Sequence, residues 1–139
     1  MPQFLFDTDH LTLYQHKHPP LMQRIALDPA DSAVISPINI EETMRGRLGP
    51  LARVLTGTKH VQAYAHLVAA EVMFRLFPLV PFDKGSESAF QHLRAARLRV
   101  GTLDLKIAAI ALTNGLTVLT RNRKDFGRVP GLASGDWSV

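Results

Sequence analysis

The feature that most constrains this chain is the return of short, apolar, β-rich runs with long helical stretches between them. Residues 3–6 (QFLF), 32–37 (SAVISP) and 116–120 (LTVLT) read as buried strands, and 79–82 (LVPF) as a further short one. Hairpin turns cannot join runs so far apart, so they pair in parallel through crossover helices. The expected architecture is α/β, with three α/β/α layers around a mainly parallel central sheet. At 139 residues the chain suits a single domain over 1–139. Its 46% hydrophobic and 20% charged residues can fill a core.

Between the strands the apolar spacing is helical. Residues 10–16 begin a helix broken by Pro19 and Pro20, residues 21–27 form a second, and 38–49 a third. From Lys59 to Leu76, Val61, Ala65, Val68, Val72 and Leu76 recur at three- and four-residue spacing, which predicts a core-facing stripe. Met73, Phe74 and Phe77 exceed that stripe and predict a partner surface. Asp83 or Ser86 caps a helix over 87–99 with Phe90, Leu93 and Val100 inward. Thr102 is the expected N-cap of an apolar helix over 103–114 that Gly115 closes, and 121–131 (RNRKDFGRVPG) reads as a polar loop.

In a parallel α/β sheet the functional crevice lies beyond the carboxyl ends of the strands. Four acids fall at such positions. Asp7 ends the first strand, Glu42 sits in the first turns after the second, Asp104 opens the apolar helix, and Asp125 follows the last strong strand. Read singly, Asp7 and Asp9 serve as strand stop and helix cap, Asp104 as a first-turn acid, and Glu42, beside Glu41, as part of a solvated face. Together in one crevice they repel each other unless a cation sits among them. Oxygen-only ligands favour Mg²⁺ or Mn²⁺ over zinc, and such ions activate water for in-line attack on a phosphodiester.

The remaining composition narrows the chemistry. No cysteine is present, which excludes disulfides, thiolate catalysis and cysteine-ligated metal. A net charge of +4 suits a polyanionic partner. Arg121, Arg123, Lys124 and Arg128 surround Asp125, and Arg94, Arg97 and Arg99 lead into Asp104, as an RNA backbone beside an acidic pocket requires. His16 and His18 have the spacing of a metal pair but no further ligand nearby and read as an exposed turn, and His10, His60, His66 and His92 show no ligand spacing. With no basic leader and no apolar run near the ~20 residues of a membrane helix, a cytoplasmic protein without a membrane partner is expected.

Four segments taken in order, LFDTDHL, INIEETMRG, VGTLDLKIAAIAL and VLTRNRKDFGRVPGL, resemble the PIN-domain nucleases, and among them the VapC-type toxins of toxin–antitoxin pairs. The likeness runs from about residue 3 to Trp137. It implies a PIN-like domain and a magnesium-dependent endoribonuclease acting on structured RNA such as transfer or ribosomal RNA. Asp7, Glu42, Asp104 and Asp125 would be its catalytic and metal-binding acids, supported by Thr120 and Asn122. A cognate antitoxin and a homodimer are the implied partners. Glu41 beside Glu42 leaves the second acid open to a one-position shift. The Asp-x-Asp of residues 7–9 also resembles haloacid-dehalogenase-type phosphatases, whose late paired acids this chain lacks. A phosphoacceptor receiver domain would want an Asp where Ser36-Pro37 stands. A non-catalytic RNA- or protein-binding module of the same fold is the alternative from another class.

Overall fold

The computed structural model describes residues 3–28, 32–53 and 56–139. In chain order the elements are β1 (Phe4–Phe6), α1 (Thr8–Gln15), α2 (Pro19–Leu27), β2 (Ala33–Val34), α3 (Pro37–Leu51) and α4 (Gly57–Phe74). There follow α5 (Lys84–Ala95), α6 (Thr102–Asn114), β3 (Thr117–Leu119), α7 (Arg123–Phe126) and β4 (Ser134–Gly135). The strands form one all-parallel sheet in the order β2-β1-β3-β4. This is the expected α/β class.

The period of two along each strand builds the three layers. On one face Leu5, Val34 and Val118 pack against α5 and α6 through Phe90, Leu93, Ile107 and Ile110. On the other, Phe6, Ala33, Ile35 and Leu119 meet Leu11, Leu21, Met73 and Trp137. Helix α6 is apolar all round because it is enclosed: Ile107, Ala108, Ala109, Ile110 and Ala111 have no exposure. Gly115 ends it in the left-handed region at φ +64°.

Several local expectations are corrected. The expected stripe faces outward, with Val61 70% and Val68 59% exposed on α4, Ala65 and Val72 exposed beside them, and Leu76, two residues past the helix end, 60% exposed. Helix α4 packs chiefly on α3, and only its far end reaches the core, through Ala70 and Met73. Met73, Phe74 and Phe77 therefore point into the molecule, and the expected stripe is the free apolar surface. Residues 79–82 add only a bridge of Leu79 to Ile35, because Pro78 and Pro81 remove ladder donors. Asp83 caps α5 by accepting from Ser86 N at 2.9 Å, three residues ahead of the expected start. Gly101, not Thr102, is the N-cap of α6. The loop over 121–131 contains the single turn α7, and β4 is an unforeseen fourth strand.

Candidate functional site

The carboxyl edge of the sheet gathers the acids. Asp7 follows β1, and its N–H still donates to Leu119 O on β3 at 2.9 Å, which fixes it opposite Thr120. Its Oδ1 caps α1 by accepting from Thr8 N at 2.8 Å, and its Oδ2 accepts from the Thr120 hydroxyl at 2.7 Å. Asp7 is thus a helix cap and a member of the acid cluster at once.

Each of the other three acids is held by a polar neighbour. Glu42 Oε1 accepts from Thr8 Oγ1 at 2.9 Å, whereas Glu41 pairs outward with Arg45 at 2.7 Å. Of the two glutamates, Glu42 is the one whose charge bears on Asp104. Asn122 Nδ2 lies 3.3 Å from Asp104 Oδ2 and 3.1 Å from Asp125 Oδ2, so one amide bridges both carboxylates. Asn122 N in turn donates to Thr120 Oγ1 at 2.8 Å. Arg128 Nη1 donates to Asp125 Oδ1 at 3.2 Å.

The electrostatics follow from crowding. Asp7, 7% exposed, is pushed up to about 7 by burial first and then by the charges of Asp9 and Asp104, against the Thr120 hydrogen bond. Asp104 is also raised, by burial, then by Glu42 and Asp125. The donors are carboxylate oxygens throughout, and Asp104 Oδ1 and Glu42 Oε2 accept no hydrogen bond among the described residues. Such a set fits a hard divalent cation in charge and donor type. The acids are nevertheless spread: among the described residues no three acidic or imidazole groups stand together closely enough to hold a metal ion as they are.

Sequence reasoning missed a supporting network. Asn39, fully buried, donates through Nδ2 to Phe6 O at 2.9 Å and Thr8 Oγ1 at 3.2 Å, and accepts from Ser36 N at 2.8 Å. The spacing Ser36-x-x-Asn39, a capping box at the start of α3, was its visible sign. His10 is also fully buried; Nδ1 donates to Asp9 Oδ1 at 2.7 Å, and Nε2 accepts from Trp137 N at 3.0 Å. Asp9 Oδ2 accepts from Arg121 N at 3.0 Å. Asp9, expected as a cap, is instead the second residue of α1, whose N-cap is Asp7, and it joins that helix to the loop after β3.

His18, expected in an exposed turn, is half-buried and bonds Ser138 O at 2.7 Å. Arg121, Arg123 and Lys124 are exposed on the segment that carries Asp125, and Arg97 is exposed in the α5–α6 connection at φ +53°.

A model of the PIN domain family matches residues 10–132. Asp7 precedes that span, so its membership of the cluster rests on its bonds to Thr8 and Thr120. The chain is 36% identical over 106 residues to ribonuclease VapC1 of Rickettsia felis, covering 72% of each. It is 37% identical over 108 residues to ribonuclease VapC of Rickettsia bellii, covering 73% of this chain and 74% of that one. Its fold is similar to that of a DNA-bound VapBC from Salmonella typhimurium, with a TM-score of 0.79, 25% identity and 99% of each chain covered. With a fold, an acidic edge and relatives that agree, this chain belongs to the PIN-domain family, among its VapC ribonucleases.

Proposed function

We propose that residues 1–139 form one nuclease domain, a metal-dependent endoribonuclease that cuts structured RNA in the cytoplasm and is the toxin of a toxin–antitoxin pair. The observation that carries this is the meeting of Asp7, Glu42, Asp104 and Asp125 at one sheet edge, with Asp7 and Asp104 raised by burial and by their neighbours' charge. These four acids would hold Mg²⁺ or Mn²⁺. A divalent ion supplies Lewis acidity toward the phosphate and lowers the pKa of water beside it.

The chain's own groups set the geometry. Asn122 keeps Asp104 and Asp125 side by side, Thr120 turns Asp7, and Thr8, itself held by Asn39, turns Glu42. Arg97, Arg121, Arg123 and Lys124 lie exposed around the edge to hold RNA phosphates. The exposed Val61, Tyr64, Val68 and Val72 on α4, with Leu76 just past its end, offer apolar area to the cognate antitoxin and to a second subunit of a homodimer.

The test is cleavage of a total-RNA pool with Mg²⁺ or Mn²⁺, beside EDTA and an Asp104→Asn variant. Discrete fragments that require both the metal and Asp104 are expected. RNA that is bound yet left intact under every condition refutes the nuclease and leaves a non-catalytic RNA-binding module.

A further inference from the structure

The seam between α1 and α3 begins at the acids and ends in cations. At its start Thr8 bonds Glu42; further along, Arg47 Nη2 donates to Gln15 Oε1 at 2.7 Å. That second bond lies seven residues on along α1 and five along α3, roughly 8–10 Å of helical rise from the first. Here a cavity of about 310 Å³ opens between α3 and α4, lined by Arg47, Lys59, Gln62 and His66. Among the described residues no acid lines it. At its rim a Cβ added to Gly46 would meet nothing within 4 Å.

The positive groups are left uncompensated. Of the Arg47 donors only Nη2 has an acceptor among the described residues, and Nε is buried without one. The His66 imidazole is held below its ordinary pKa by burial first and then by the positive charges of Arg47 and His16. Guanidinium, ammonium and amide donors around one concavity match a phosphodiester.

We propose that this cavity is a second RNA-binding site, holding a backbone phosphate of the strand whose scissile phosphate lies at the acids. The inference rests on the ribonuclease reading. An acidic peptide has similar charge, but continuity of the seam with the acid cluster favours the nucleic acid strand.

Fluorescence anisotropy of a fluorescein-labelled RNA hairpin in EDTA, titrated with salt, tests it on the wild type, Lys59→Gln and Arg47→Gln. Lys59 is exposed and bonds no side chain among the described residues, so its variant folds even if Arg47→Gln does not. Several-fold weaker binding is expected, with a log–log salt slope shallower by about 1 for each phosphate no longer neutralised. Cleavage at saturating RNA should stay near wild type, as for a group that acts on KM. Unchanged affinity and slope, in a protein that still cuts RNA, overturn the cavity assignment alone. A wild type that neither binds nor cuts RNA overturns both readings. Weakened binding of a labelled polyglutamate peptide with RNA binding intact overturns the assignment in favour of an acidic protein partner.

Discussion

Asp7→Asn should make the metal-free protein less sensitive to pH. Asp7 titrates at about 7 in the fold against 3.8 for the free side chain, so the fold binds its proton more tightly than the unfolded chain does. Stability is then greatest below the unfolded value and is lost as pH rises through the folded one. Each pH unit between them is worth about 1.4 kcal/mol, so a rise from pH 5 to pH 8 removes about 3 kcal/mol through Asp7. At 7% exposure the side chain is too buried for solvent to screen most of this. Asparagine keeps the shape and cannot titrate.

Urea denaturation in EDTA at both pH values measures the double difference. Asp104, raised, and Asp83 and Asp136, lowered, titrate in both proteins and largely cancel in it. Parallel losses in wild type and variant, within about 0.5 kcal/mol, refute the reasoning. Magnesium at pH 8 should then restore the wild type, by about 2.7 kcal/mol at a hundredfold excess over its dissociation constant, and restore the variant far less.

Asp104→Asn should lower single-turnover cleavage at least about a hundredfold with the melting temperature within a few degrees; retained cleavage would remove Asp104 from the site. Asn39→Ala strips Phe6 O, Thr8 Oγ1 and Ser36 N of a buried partner and should cost about 2–3 kcal/mol in urea unfolding, with slower cleavage because Glu42 loses its anchor. Full activity at full stability would show that the network is idle. Gly115→Ala, at φ +64° with open space around it, should destabilise by about 1 kcal/mol from backbone strain alone and leave cleavage unchanged.

The strands with a two-sided apolar pattern were legible in the sequence, as was the enclosed helix α6, because burial on all sides leaves no polar face to misread. The α4 stripe misled for a physical reason. Helical periodicity reports that one face is apolar, not what covers it, and here α3 takes only part of the helix. The four acids were legible from their places after strands and at helix starts. Their supports were not. Thr8, Asn39 and His10 act through partners up to 127 positions away, and local spacing shows only the Ser36–Asn39 capping box, not what Asn39 reaches beyond it. Strand β4 is two residues long and includes a glycine, so it has no propensity to detect.

The bond from Thr120 to Asp7 joins residues 113 apart. Closing a loop of that length is entropically costly, and sheets built from such distant pairings form slowly. The acids come from four separate elements, and no local fragment contains the set. A chain caught before β1 and β3 pair holds scattered carboxylates with neither crowding nor Thr120 to orient Asp7. If the four acids carry the proposed chemistry, a copy in which β1 and β3 are unpaired is expected to be inert rather than weakly active.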